Sequence, residues 1–139
     1  MSGVALVDSS AFLSLEDPDE RSHREARRAL EDMVEAGTRL VTTNFVFDET
    51  YTLILARLGR GRAVTWGERF MSGKLVLVYR VEQRHEARAW DIILTFSDKD
   101  FSYTDATSFA VAEDFGIDSA FSLDRHFHQY GSLRVVPGT

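Results

Sequence analysis

A chain of 139 residues, 44% hydrophobic and 27% charged, is long enough to bury a core and has the balance of a soluble globular protein. It contains no cysteine, which excludes disulfides, thiolate zinc sites and cysteine nucleophiles. The net charge of −6 speaks against a generic nucleic-acid coat protein, but not against a nuclease whose acidic site is neutralised by a cation.

Val4–Val7 is a continuous apolar run, as expected of a strand covered on both faces. Residues 19–36 are charged with helical spacing; Ala26, Ala29, Leu30 and Met33 form the apolar stripe and Gly37 stops the helix. Leu40 and Val41 make a short strand. Asn44 is placed to cap a helix that runs to Leu58 and ends at Gly59, and residues 62–70 form another. Residues 75–81, rich in Val, Leu and Tyr, read as a strand, and residues 82–96 as a helix. Thr104 is placed to cap a helix over residues 105–115, ended by Gly116. A strand over residues 119–122, a short helix over residues 124–130 and a last strand over residues 133–136 complete the chain. Strands alternating with helices predict a parallel sheet covered on both sides, in one domain. No apolar run approaches the roughly 20 residues that span a bilayer, and Asp8 and Glu16 come too early for a signal peptide. The expectation is a cytoplasmic protein with no membrane partner.

Four acidic residues stand out against this pattern. Asp8 ends the first buried strand, and Asp124 follows the apolar pair Ala120 and Phe121, so both open onto the carboxyl edge of the sheet, where such folds bind ligands. At 100° per residue, Glu49 falls between Phe45 and Ala56 on one side and Val46 and Leu53 on the other, whereas Asp48 falls toward the polar strip. Asp105 falls between Phe109 and Ala112, on the buried side of its helix. Three have an ordinary explanation, Asp8 and Asp124 as caps and Asp105 as a first-turn acid favoured by the helix dipole; the solvated-acid reading fits Asp48 and fits Glu49 poorly. Together they point to one pocket. Carboxylates crowded there cannot all ionise unaided, and a hard divalent cation, Mg²⁺ or Mn²⁺, is the simplest remedy.

The remaining features carry less. His23, His85, His126 and His128 show no ligand spacing, and His126 and His128 point to different sides of a helix, which disfavours zinc. Asp114-Phe115-Gly116 matches a kinase triplet without any other kinase element. Gly59-Arg60-Gly61 follows a helix rather than a strand and is no phosphate loop. Arg57, Arg60 and Arg62 gather at a helix C-terminus, where cations are favoured. Arg21, Arg24, Arg27 and Arg28 alternate with Glu20, Glu25 and Glu31, the pattern of a salt-bridged solvated face.

The segments VALVDSSAF, NFVFDETYTLI, YTDATSFAVAEDFGI and AFSLDRHFHQYGSLRVVP, in that order over nearly the whole chain, resemble PIN-domain ribonucleases, and among them the VapC-type toxins of toxin–antitoxin pairs. The resemblance implies a three-layer α/β/α sandwich with a central parallel sheet, spanning residues 1–139 as a single domain. It implies a metal-dependent endoribonuclease whose acidic ligands match Asp8, Glu49, Asp105 and Asp124, with a hydroxyl residue at Ser9 and a polar one at Thr104. It further implies hydrolysis of RNA to a 5′-phosphate and a 3′-hydroxyl, a homodimer, and a small antitoxin that covers the site.

Three other readings compete. A solitary PIN nuclease would lack the antitoxin. A phosphotransfer domain of receiver or haloacid-dehalogenase type also places an acid after an early strand; the latter expects a second Asp where this chain has Ser10, and neither explains Asp105 with Asp124. A non-catalytic binding module of the same fold would have no reason to keep burying charge.

Overall fold

The computed structural model describes residues 3–138. Among them, β1 (Val4–Val7), β2 (Arg39–Thr43), β3 (Val76–Tyr79), β4 (Ser119–Phe121) and β5 (Arg134–Val136) form one sheet. Its order is β3-β2-β1-β4-β5, and every neighbouring pair is parallel. The chain runs outward from β1 to β2 and β3, then crosses back to place β4 on the other side of β1. The direction of winding therefore reverses between β1 and β4, the place where a parallel sheet leaves a crevice at its carboxyl edge.

Period-two alternation divides the sheet residues between two cores. Ala5, Val7, Leu40 and Phe121 face α1 (Ser9–Glu16), α2 (His23–Glu35), α3 (Asn44–Leu58) and α4 (Arg60–Ser72), packing on Phe12, Met33, Ile54 and Trp66. Leu6, Val41 and Ala120 face the other way, toward α5 (Gln83–Thr95), α6 (Tyr103–Phe115) and α7 (Arg125–Tyr130), packing on Ile92, Phe109 and Phe127. The result is the expected α/β/α sandwich. No helix among the described residues is long and apolar enough to cross a membrane.

Several local expectations need correction. α1 was not foreseen: its eight residues include Ser9, Ser10 and Ser14, and five of them are buried, so no two-faced periodicity betrays it. α2 starts at His23 rather than near residue 19, because residues 17–20 are held in turns by Asp17. Its arginines make no ion pair within α2 among the described residues; the face is solvated but not bridged. Thr43, not Asn44, caps α3, its Oγ1 accepting from the Val46 amide at 3.1 Å. Asn44 instead accepts from the Val81 amide at 2.8 Å, tying the end of the β3 segment to the start of α3. Ser102, not Thr104, caps α6. The Asp114-Phe115-Gly116 triplet is the C-terminal end of α6, with Gly116 in the left-handed region at φ 66° and Asp114 accepting from buried His85 at 2.8 Å.

Candidate active site

Asp8 follows β1 directly and is only 1% exposed. Its backbone N–H continues the sheet to the Phe121 carbonyl at 2.9 Å, and its side chain caps α1. One carboxylate oxygen is well served: Oδ2 accepts from the Ser10 amide at 3.3 Å, Ser10 Oγ at 2.7 Å and Ser122 Oγ at 3.1 Å. The other, Oδ1, is buried with no hydrogen-bond partner among the described residues. Burial, and then the charges of Asp105, Asp124 and Glu49, push the Asp8 carboxyl up to about 7.

The other three acids converge on it from three helices. Asp105, 3% exposed, occupies the third position of α6, where it forms a reciprocal capping box with Ser102. Asp124 caps α7 through the His126 amide at 2.9 Å. Glu49 is half-buried on α3 and accepts from Ser9 Oγ at 2.5 Å, with Thr104 beside it. Burial is the main cause that raises the Glu49 and Asp105 carboxyls as well. Asp48 points to solvent, as the helical wheel requires.

His126 is the residue that sequence reasoning missed. Its Nδ1 lies 3.0 Å from Asp105 Oδ2 and 3.5 Å from Asp124 Oδ1, so the three side chains form a compact polar group. With carboxylate oxygens on both sides, Nδ1 is placed to carry the hydrogen; without it, the same atom joins Asp105 and Asp124 as a third candidate ligand for one metal ion. The ring stands edge-on to Phe101, which steadies it. One signal was available, since His126 sits two residues after a candidate cap acid; a lone histidine without ligand spacing does not otherwise announce itself.

The arrangement is thus a group of four acids at the winding reversal, including one buried carboxylate oxygen with no hydrogen-bond partner among the described residues. A PIN domain family profile matches residues 5–133. The chain belongs to the PIN-domain family. It is 31% identical over 134 residues to the 23S rRNA-specific endonuclease VapC20 of Mycobacterium tuberculosis, covering 96% of this chain and 99% of that protein. The crystal structure of M. tuberculosis VapC20, described as a sarcin–ricin loop cleaving toxin, matches with a TM-score of 0.84 at 30% identity, over 97% of this chain and all of that one. VapBC2 from Rickettsia felis, bound to a DNA fragment from its promoter, matches with a TM-score of 0.71 at 8% identity, over 95% of this chain and 96% of that one, a likeness of fold alone.

Within this PIN domain the four acids singled out from the sequence come together from β1, α3, α6 and the β4–α7 junction. The serines at positions 10 and 122, which hold Asp8, were not foreseen, because nothing local relates residue 10 to residue 122. Ser9 turns away from Asp8 toward Glu49.

Proposed function

We propose that this chain is a metal-dependent endoribonuclease, hydrolysing RNA phosphodiester bonds as the toxin of a toxin–antitoxin pair, with residues 1–139 as one PIN domain. The observation that carries the reading is Asp8 Oδ1, a buried carboxylate oxygen without a donor, in a group whose nearest charges are three more acids. A cap or a packing role leaves such an oxygen as a cost; a cation satisfies it. The available donors are hard carboxylate oxygens, which suit Mg²⁺ or Mn²⁺ better than a softer metal. Asp8, Asp105 and Asp124 would hold it, with Glu49 as a further ligand or through water.

Such an ion, when bound, polarises the scissile phosphate and lowers the pKa of its water. The chain's own residues prepare the place. Ser10 and Ser122 fix Oδ2 of Asp8 and so set the orientation of the free oxygen. Ser9 holds Glu49 by its hydroxyl, with Thr104 close by. His126 donates from Nδ1 to Asp105, restraining that carboxylate and leaving Nε2 available toward substrate or solvent. No histidine pair stands ready for acid and base roles, which disfavours a cyclising mechanism.

The likeness to VapC20 supports a loop of ribosomal RNA as the substrate class. It also supports a small antitoxin as partner. An effective blocker of this crevice would present an arginine, whose guanidinium matches carboxylates in a bidentate fork and replaces the cation's charge. A homodimer and a cytoplasmic site of action belong to the same reading.

The test is cleavage of a sarcin–ricin-type RNA hairpin with Mg²⁺ or Mn²⁺, with and without excess EDTA. The parent should cut only with the ion. Asp8→Asn and Glu49→Gln should each lose at least about 100-fold, beyond the roughly 10- to 100-fold typical of groups that only orient ligands. Asp48→Asn should stay within a few-fold of the parent. Undiminished cutting in EDTA would sink the mechanism; equal losses at positions 48 and 49 would remove Glu49 from the site.

A further inference from the structure

We infer that the exposed ring of Tyr103, backed by Phe45, is a stacking platform for one base of the RNA strand beside the acidic crevice, an inference that rests on the ribonuclease reading above. Phe45 lies in the first turn of α3 and Tyr103 opens α6, with ring centroids 6.2 Å apart and planes inclined by 35°. Holding a base between two rings takes about 7 Å, twice the ~3.5 Å of aromatic contact. The base therefore does not enter between them. It lies on the outer face of Tyr103, which is 40% exposed, while half-buried Phe45 supports the ring from behind.

The same two helices carry the acids. Glu49 follows Phe45 by four residues, just over one turn and about 6 Å along α3. Asp105 follows Tyr103 by two residues, and Thr104 between them stands beside Glu49. The aromatic pair is thus the rim of the crevice, within reach of the nucleotide whose phosphate occupies it. Tyr103 is also held in place: its hydroxyl donates to Glu86 Oε1 at 2.8 Å, so stacking costs little ring freedom. Charge at the same sheet edge agrees with a strand lying there. Arg80, after β3, and Arg125, after Asp124, are exposed and in no ion pair among the described residues, and both follow strands of the same sheet. Cations that meet phosphates and aromatic faces that meet bases are the two parts of single-strand recognition.

The experiment uses the full chain, Mn²⁺ and a hairpin RNA whose single-stranded loop carries the cleavage point. A second set of hairpins has one abasic ribose moved along that loop. Tyr103→Ala should raise KM by roughly 5- to 100-fold, the range for one stacked base, with kcat little changed. Tyr103→Phe keeps the ring but loses the bond to Glu86, and should stay within about 3-fold of the parent. At one position next to the cleavage point, the abasic sugar should cost the parent the same factor and cost Tyr103→Ala nothing more. A Tyr103→Phe variant as impaired as Tyr103→Ala would make the residue a clip between α5 and α6 and overturn the platform. So would independent losses at every abasic position. An unchanged Tyr103→Ala in a parent that cuts RNA overturns the platform alone, whereas a parent that cuts no RNA overturns the ribonuclease reading with it.

Discussion

At the scale of single residues, the ordinary and the chemical explanations of the acids turn out to be compatible. Asp8 and Asp124 are helix caps, and Asp105 is a first-turn acid in a capping box, yet all three stand in one crevice with Glu49. A cap needs only one carboxylate oxygen, and at Asp8 the second is left over. This has a consequence for stability without metal. The folded Asp8 carboxyl titrates near 7, against 3.8 for an exposed one. Between about pH 4 and pH 7 the folded state therefore keeps a proton that the unfolded state has released, and stability falls as pH rises through that window. Above it the full contribution, on the order of 4 kcal/mol, is lost. Glu49 and Asp105 are shifted in the same direction. In EDTA, the melting temperature of the parent should drop from pH 5 to pH 8, and Asp8→Asn should flatten the drop while keeping an oxygen for Ser10 and Ser122. Mn²⁺ should restore the parent at pH 8 and do little for the variant. A variant that melts far below the parent at pH 8 in EDTA would mean that Asp8 serves chiefly as a cap.

At the scale of elements, the site is a meeting of helix N-termini with the carboxyl edge of a parallel sheet. α1, α6 and α7 all begin beside an acid of the site, and their first-turn amides lend it partial positive charge, which offsets some of the mutual repulsion. α6 contributes most, because its first turn supplies Tyr103, Thr104 and Asp105. Ser102 starts that turn, its Oγ accepting from the Asp105 amide at 3.0 Å while its own amide donates to the Asp105 carboxylate at 3.3 Å. Ser102→Ala removes the first bond and keeps the second. It should cost about 1 kcal/mol, roughly 4 °C in melting temperature, while cleavage stays within a few-fold of the parent. A loss of activity as large as that of Asp8→Asn would show instead that the cap itself sets the position of Asp105.

At the scale of the molecule, two separate apolar cores hold the sheet from either side, leaving the carboxyl edge free for the crevice. An active ribonuclease with an open site would harm its host, so the toxin reading makes a cellular prediction. Expression of the parent alone should slow growth, Asp8→Asn should not, and co-expression with a short neighbouring gene encoding an arginine-bearing partner should restore it. If the active enzyme proves harmless when overproduced, and no small partner co-purifies from its native cells, the toxin assignment fails while the nuclease assignment stands.

The residues themselves determined the order of strands and helices, since buried strands read as apolar runs and most helices carry one-sided stripes. Read with the 3.6-residue period, they also separated Glu49 from Asp48 and singled out Asp105, while the ends of apolar runs singled out Asp8 and Asp124. What escaped was of another kind. α1 is buried on too many sides to show a stripe, and caps at Thr43 and Ser102 compete locally with equally suitable neighbours. Only the crossing of the chain from β3 to β4 brings Ser122 to Asp8, His126 to Asp105 and Tyr103 to Phe45. Those contacts join residues 21 to 114 positions apart. Local propensity cannot encode them; the winding reversal of the sheet makes them.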